Sequence, residues 1–143
     1  MLKSKKSLLK MPTKKSKKNL LLIDDQPVMG LLLKNKLDEN FEVVLKLNGV
    51  EALSWIMEGN IPDVVVLDLN MPEMNGIEFI KEVRKFNYFE KVPLIVLSGE
   101  ESVNSRIDAF KCGADDFLMK PFNPQELNVR IDRFFSRYKF DLT

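Results

Sequence analysis

The stretch Val-Val-Val-Leu-Asp-Leu-Asn-Met-Pro, residues 64–72, contains an apolar run that stops at a carboxylate, Asp68. An apolar run of this length with little alternation is typical of a strand that is covered on both faces of its sheet. Similar apolar runs occupy residues 20–23, 41–45, 94–97 and 117–119. Three of these four are followed directly by the residues that we take as site candidates, which are Asp24 with Asp25, Ser98, and Lys120.

Helical patterns separate these runs and follow the last one. In each, apolar residues at helical spacing predict one apolar face. These sets are Val28, Leu32 and Leu33; Leu53, Ile56 and Met57; Phe79, Ile80 and Val83; Val103, Ile107 and Phe110; and Leu127, Ile131, Phe134 and Tyr138. Strands that alternate with helices form a parallel sheet, so we predict an α/β fold in which a βα unit occurs five times. In such sheets ligands bind beyond the carboxyl ends of the strands, where the polar residues would meet.

Length and hydropathy predict one domain that is not held in a membrane. The chain has 143 residues, of which 45% are hydrophobic, and this suits a single packed core. No apolar stretch is long enough to span a bilayer, and lysines interrupt the N-terminus where a secretory signal would be apolar. We therefore expect a cytoplasmic protein without a membrane span.

The net charge of +1 combines a basic segment with an acidic remainder. Eight lysines and no acid precede Asn19, which leaves 14 basic against 21 acidic residues, a net charge of −7, for the rest. We predict a disordered basic tail over residues 1–18 and a folded domain over residues 19–143. Salt-dependent binding of this tail to nucleic acid or to an anionic membrane remains an alternative.

The residue types limit the kinds of catalytic and metal site that the chain can form. The chain has no histidine and a single cysteine, Cys112, so a histidine base, an internal disulfide and a cysteine-rich zinc site are all excluded. Carboxylates that meet at one crevice repel each other by on the order of 4 kcal/mol per pair at about 4 Å, and a cation must offset this. Oxygen ligands favour Mg²⁺, with Mn²⁺ as the alternative. We assign Asp68, on the central strand by chain order, as a nucleophile on phosphorus that yields an aspartyl phosphate.

The ordered set of motifs resembles the receiver domain of response regulators in two-component signalling, over residues 19–139. The resemblance rests on Asp24-Asp25, residues 68–76, Ser98-Gly99, Gly113-Ala114 and Lys120-Pro121-Phe122. It implies a flavodoxin-like three-layer sandwich whose five parallel strands have the order 2-1-3-4-5.

The resemblance also implies a role for each site residue. Asp68 would accept a phosphoryl group from a histidine kinase or a phosphotransfer protein. Asp25 would bind Mg²⁺ directly, Asp24 through water, Asp68 through its carboxylate, and Asn70 through its backbone carbonyl. Ser98 and Lys120 would contact phosphoryl oxygens, Phe117 would be the switch aromatic, and the Lys120–Pro121 bond would be cis.

Several positions differ from the commonest pattern of this family. Ser98 stands where threonine is frequent, Gly99 where alanine is frequent, and Asn75 where aspartate is frequent. Asn70 and Glu100 are similar to the pair in chemotaxis-type single-domain regulators, which implies fast loss of the phosphoryl group.

The sequence thus predicts a single-domain response regulator that catalyses only its own phosphorylation and dephosphorylation. Helix four, strand five and helix five would then bind a downstream protein. An alternative is a Mg²⁺-dependent phosphohydrolase of the haloacid-dehalogenase type. Such enzymes carry an acid two residues after the nucleophile, where this chain has Asn70. A constitutive interaction module that no longer uses phosphate is the remaining alternative, and the complete acidic set argues against it.

Overall fold

The computed structural model describes residues 17–71, 73–99 and 103–141. Within these residues the strands are β1 (Lys18–Ile23), β2 (Phe41–Lys46), β3 (Val64–Asp68), β4 (Leu94–Ser98) and β5 (Asp116–Met119). The α-helices are α1 (Pro27–Leu37), α2 (Gly49–Met57), α3 (Gly76–Val83), α4 (Val103–Cys112) and α5 (Pro124–Asp141), and a 3₁₀ turn spans Asn87–Phe89. β1 begins at Lys18, so the last residue of the predicted tail is part of the sheet. Residues 1–16 of that tail lie outside the described residues, and Lys17 is the first residue described.

The five strands form one parallel sheet in the order β2-β1-β3-β4-β5. This confirms the predicted flavodoxin-like α/β fold and its strand order. Ile23 pairs in register with Leu67, and Asp68 with Leu97. The carboxyl ends of β1, β3 and β4 are therefore level with one another, as predicted from the sequence.

The side chains of successive strand residues pack in two separate cores, because side chains alternate between the two faces of a sheet. Leu20 and Leu22 of β1 pack in the core under α1 and α5, whereas Leu21 and Ile23 pack in the core under α2, α3 and α4. β3 is buried along its whole length between β1 and β4. This fixes the backbone at Asp68 from both sides and both faces.

The predicted face of α4 is wrong, and that of α1 is wrong at Val28 and Leu32, whereas Leu33 is half-buried and packs against the core. On α1, Val28 and Leu32 are 72% and 57% exposed, and on α4 the set Val103, Ile107 and Phe110 is exposed as well. The face of α1 that packs on the sheet carries Gly30, where a Cβ would lie 3.2 Å from Leu45 Cδ1. The buried residue of α4 is the small Ala109. Small residues bring both helices close to the sheet and leave their larger apolar side chains in solvent.

The other faces agree with the prediction to different degrees. On α3, Phe79, Ile80 and Val83 are fully buried, as expected. On α2, Ile56 is buried but Met57, at the end of the helix, is 70% exposed. On α5, Leu127 and Ile131 are buried, while Phe134 is half-buried. The side chain of Tyr138, the fourth residue predicted on this face, lies outside the described part of the chain.

The side chain of Arg84, just after α3, connects several loops at the amino-terminal edge of the sheet, opposite the carboxylate cluster. Its guanidinium donates hydrogen bonds to the carbonyl oxygens of Phe89, Val92 and Gly113 and to the Asp115 carboxylate. A hydrogen bond to a charged donor contributes more than a neutral one. The residue after α4 is therefore fixed to the loop that precedes β4. None of the described helices has the length and apolar character needed to cross a membrane.

Candidate functional site

Asp68 is the last residue of β3, and the residue is almost fully buried, with 7% of its surface exposed. Its Oδ2 accepts a hydrogen bond from Lys120 Nζ at 2.9 Å, and its Oδ1 accepts one from the Asn70 backbone N–H at 3.2 Å. An ionised carboxylate at this depth needs such partners to remain charged. Both oxygens of Asp68 are thus held in place by named donors.

Asp24 and Asp25 follow β1 and meet Asp68 at the same edge of the sheet. One oxygen from each of the three carboxylates lies within 4.8 Å of the other two. Asp24 is positioned by its backbone N–H, which donates to Lys46 O at 3.0 Å, and by Gln26, whose N–H donates to Asp24 Oδ1 at 2.9 Å. Asp25 is partly exposed and Asp24 is buried.

The electrostatics of this cluster suit a divalent cation. Burial raises the pKa of Asp24 above its ordinary value, the Gln26 N–H and Lys120 lower it, and Asp68 and Asp25 raise it again. Carboxylates separated by 4.8 Å or less repel each other by about 3 kcal/mol per pair at an effective dielectric near 20. The single ammonium of Lys120 offsets only part of this charge. An all-oxygen donor set with this excess of negative charge fits Mg²⁺ or Mn²⁺.

Replacing Asp24 by Asn should stabilise the metal-free protein at neutral pH. The folded-state pKa of Asp24 is raised, so the folded protein binds this proton more tightly than the unfolded chain and loses stability as pH rises through that pKa. The substituted amide keeps an oxygen for the Gln26 N–H but carries no charge. We expect the variant to have a higher Tm than the wild type at pH 7 and a smaller difference at pH 4.

Thermal unfolding followed by circular dichroism in EDTA, at several pH values, measures this gain. Asp132→Asn, an exposed carboxylate on α5, is the control and should leave Tm unchanged at every pH. A Tm difference for Asp24→Asn that is negative or independent of pH would contradict the explanation.

Lys120 and Ser98 are brought to the site by the pairing of β4 with β5. Ser98 is fully buried at the end of β4, opposite Met119, and its carbonyl accepts a hydrogen bond from the Lys120 N–H at 2.8 Å. The Lys120–Pro121 peptide bond is cis. Ser98 directly follows Leu97, the register partner of Asp68, so the hydroxyl-bearing residue and the lysine flank the carboxylate cluster from neighbouring strands.

Phe117 lies in β5, three residues before Lys120 and below this edge of the sheet. It is 8% exposed and packs in the core shared with α2, α3 and α4. The guanidinium of Arg106 on α4 lies over its ring, with 5.8 Å from Cζ to the ring centroid. The ring therefore connects the strand that leads to Lys120 with the exposed surface of α4.

The structure brings together Asp24, Asp25, Asp68 and Lys120, and sets Ser98 beside them. Asn70 is exposed, and its backbone N–H contacts Asp68. Glu100 lies outside the described residues. Two residues that support the site were missed from the sequence. Gln26 could have been found from the Asp-x-Gln-Pro pattern, because the residue before proline is extended and presents its N–H to a preceding aspartate.

The second missed residue, Gly76, lies directly behind Asp68. It begins α3, and its N–H donates to Leu69 O at 2.8 Å. A Cβ at this position would lie 2.9 Å from Leu69 Cα and 3.0 Å from Asp68 O, both backbone atoms. Asn75 caps the helix reciprocally with Glu78, which fixes where α3 begins. The approach of α3 to the end of β3 thus depends on the absence of a side chain at Gly76.

Comparison with known proteins agrees with this architecture. Residues 20–132 match the family model of the response regulator receiver domain. The chain is 36% identical over 115 residues to the chemotaxis protein CheY1 of Helicobacter pylori, covering 79% of this chain and 93% of that protein. It is 39% identical over 116 residues to the probable transcriptional regulator ycf27 of Porphyridium aerugineum, covering 80% of this chain and 47% of that protein.

Solved structures are similar over nearly the same region. The chemotaxis response regulator CheY4 of Vibrio cholerae superposes with a TM-score of 0.77 at 32% sequence identity, covering 83% of this chain and 99% of that one. The family match spans more than half of the chain, and it includes every strand end that contributes to the carboxylate cluster. The chain belongs to the response regulator receiver domain family.

Proposed function

We propose that this receiver domain accepts a phosphoryl group on Asp68 from a phosphohistidine of a histidine kinase or a phosphotransfer protein. The observation that carries the proposal is the cluster of Asp24, Asp25 and Asp68, in which Lys120 donates a hydrogen bond to the Asp68 carboxylate. Mg²⁺, or Mn²⁺ in its place, would be held by these three carboxylates and by the Asn70 carbonyl. When bound, the cation neutralises the phosphoryl oxygens as charge builds up on them.

The proposed transfer balances without any further reactant. An oxygen of the Asp68 carboxylate attacks phosphorus, the P–O bond forms and the P–N bond to the donor imidazole breaks. The electron pair of that bond stays on the imidazole nitrogen, which takes a proton from solvent. Because the reacting groups carry the bond changes, the protein supplies mainly position and charge. Hydrolysis would remove the phosphoryl group by the same kind of displacement, in which water attacks phosphorus and the P–O bond to Asp68 breaks.

Lys120 and Ser98 provide the donors for the transferred group. In the unphosphorylated protein Lys120 Nζ is bonded to Asp68 Oδ2 at 2.9 Å, so its charge is already beside the oxygen on which the phosphoryl group would form. A donor that is prepositioned in a partly dry site costs little reorganisation during the reaction. Ser98, fully buried at the end of β4, would turn its hydroxyl toward a phosphoryl oxygen.

The signal would leave the site through Phe117 and α4. We propose that phosphorylation shifts the population between two packings of the Phe117 ring, since new contacts at Ser98 favour one of them. The face made by α4, β5 and α5 would then bind a downstream protein. This face carries the exposed apolar side chains of Val103, Ile107, Phe110 and Val129, which suit a protein partner.

Intact-mass spectrometry of the full chain tests the proposal. With Mg²⁺ and a small acyl phosphate, the protein should gain the mass of one phosphoryl group, and hydroxylamine should remove it as expected of an acyl phosphate. With EDTA in place of Mg²⁺, the rate should fall at least tenfold because the repulsion within the cluster is no longer offset. Equal labelling in EDTA, or a group that resists hydroxylamine, would contradict the proposed chemistry.

A further inference from the structure

The ring of Phe117 and the side chain of Ser98 leave the sheet on the same face, from neighbouring strands. Val96 pairs in register with Phe117, and Ser98 pairs with Met119. Val96 and Phe117 both pack in the core under α2, α3 and α4. Ser98 is two residues after Val96, so its side chain points to that face as well. A movement of the Ser98 hydroxyl toward the carboxylate cluster would therefore leave more room for the buried ring.

Phe117 is buried although it lies in β5, a strand at the edge of the sheet. A cavity of about 340 Å³ borders this residue, and its lining also includes Met119, Arg106 on α4, and Glu126 and Arg130 on α5. A cavity of roughly 150 Å³ can hold benzene, so the ring has space to turn outward into this one. Because only 8% of the residue is exposed, the fold favours the packing in which the ring stays in the core.

Arg106 covers the buried ring with a cation. Its Cζ lies over the ring of Phe117, at 5.8 Å from the centroid. A guanidinium within about 6 Å of a ring centroid is attracted by the negative face of the π system. Its methylene groups can also cover apolar surface while the charged group stays in water. Turning the ring out of the core would break this contact, so Arg106 favours the buried packing.

The charges around the cavity leave the contact between Arg106 and the ring in place. The acid in the cavity lining, Glu126, accepts a hydrogen bond from Arg130 Nη2 at 3.1 Å. Both oxygens of Asp116 accept hydrogen bonds from Arg130 Nη1, at 2.8 and 2.9 Å. Glu126 thus already has a cationic partner, which reduces its attraction for the guanidinium of Arg106.

We propose that Arg106 is a positioning residue for the phosphoryl group, because it holds the Phe117 ring in the packing that favours a phosphoryl group on Asp68. This role rests on the proposed function, in which phosphorylation shifts the population between two packings of the ring. The buried packing is the favoured one, since it fills the room that Ser98 leaves when its hydroxyl turns toward a phosphoryl oxygen. Coupling of this kind is reciprocal, so a contact that stabilises the buried ring also strengthens phosphoryl binding.

Binding of beryllofluoride, a mimic of the phosphoryl group, tests this role in the full chain with Mg²⁺, by isothermal titration calorimetry. Arg106 is exposed, so its variants should fold as the wild type does. We expect Arg106→Gln to weaken binding by about two- to fivefold, the range that loss of an exposed cation–π contact allows. Arg106→Lys keeps the positive charge and should recover most of this loss. Lys111→Gln, the matched control, removes a charge from an exposed position of the same helix and should leave the affinity unchanged.

The ring gives a second readout that does not require the phosphoryl mimic. With para-fluorophenylalanine incorporated at position 117 alone, fluorine NMR reports the surroundings of this ring. In the protein without beryllofluoride, Arg106→Gln should move the fluorine chemical shift toward its value in the unfolded chain, whereas Lys111→Gln should not. Adding beryllofluoride with Mg²⁺ should move the shift of the Arg106→Gln protein back toward that of the wild type.

Failure of this role and failure of the proposed function give different results. Equal affinities of the wild type and the Arg106→Gln protein for beryllofluoride would overturn the role of Arg106 alone, even if the ring moves. An equal loss of affinity in Lys111→Gln would also overturn it, because the effect would then come from the charge of α4 in general. A wild type that does not bind beryllofluoride would overturn the proposed function, and the role of Arg106 with it.

Discussion

Replacing Asp68 by Asn should abolish the gain of a phosphoryl group from a small acyl phosphate in the presence of Mg²⁺. The amide has almost the same shape as the carboxylate but has no anionic oxygen to attack phosphorus. Intact-mass spectrometry over a time course should show no labelled species where the wild type shows one. Labelling of the Asp68→Asn protein at the wild-type rate would refute the assignment of the nucleophile.

Two controls separate this result from unfolding and from a general effect of removing charge. Asp132→Asn removes an exposed carboxylate from α5 and should be labelled as the wild type is. The Asp68→Asn protein should remain folded, because its amide oxygen can still accept the hydrogen bond from the Asn70 N–H and the change removes one member of a repelling cluster. A Tm far below that of the wild type would mean that the loss of labelling is a folding defect.

Replacing Gly76 by Ala should destabilise the protein and slow its phosphorylation together. The added Cβ would meet the backbone at Leu69 Cα and Asp68 O, at 2.9 and 3.0 Å, and backbone held in a central strand cannot yield cheaply. Overpacking of this kind costs about 1–3 kcal/mol. The start of α3 must move away from the end of β3, which displaces Asp68 from Lys120. Denaturant unfolding measures the first effect, and the labelling rate measures the second.

Gly99→Ala is the matched control for this change. Among the described residues, no atom beyond Gly99 and its chain neighbours lies within 4 Å of a Cβ built on Gly99, so its effect on the free energy of unfolding should stay within about 0.5 kcal/mol. A similar loss of stability in both variants would show that glycine was required for some reason other than the close approach behind Asp68. A Gly76→Ala protein with unchanged free energy of unfolding and unchanged labelling rate would contradict the close packing of α3 against the end of β3.

The strands and the site were predictable from sequence for the same physical reason. Buried parallel strands are short and continuously apolar, so Val64–Leu67 shows clearly where a strand ends and where a polar side chain must emerge. Parallel strands bring all such ends to one edge, which is why Asp24 and Asp68 could be expected to meet. The register of the sheet places the ends of β1, β3 and β4 at the same level, so residues far apart in the chain lie close together.

The orientation of α1 and α4 could not be obtained in this way. Residues 28–33 of α1 are apolar except for Gly30, so several stripes around the helix are nearly equal in hydropathy. The structure selects the stripe with Gly30 and Leu37 because a small residue lets the helix approach Leu45 closely. The same competition between size and hydropathy leaves Ile107 in solvent and buries Ala109. Gly76 was missed because its contact with the backbone at Asp68 is a tertiary one that no local pattern contains.

The hydrogen bonds of Arg84 determine how α4 can move. The carbonyl oxygen of Gly113, immediately after the helix, accepts from both Nε and Nη2 of this one guanidinium, which is also bonded to the loop before β4. The Cys112 end of α4 is therefore a fixed pivot, and sliding of the helix along its axis would break several bonds at once. A rearrangement that keeps these bonds is a swing about that end. Its amplitude would be greatest at Val103, the end of α4 nearest to the carboxyl edge of the sheet, so a swing of α4 would move most at the end that faces the carboxylate cluster.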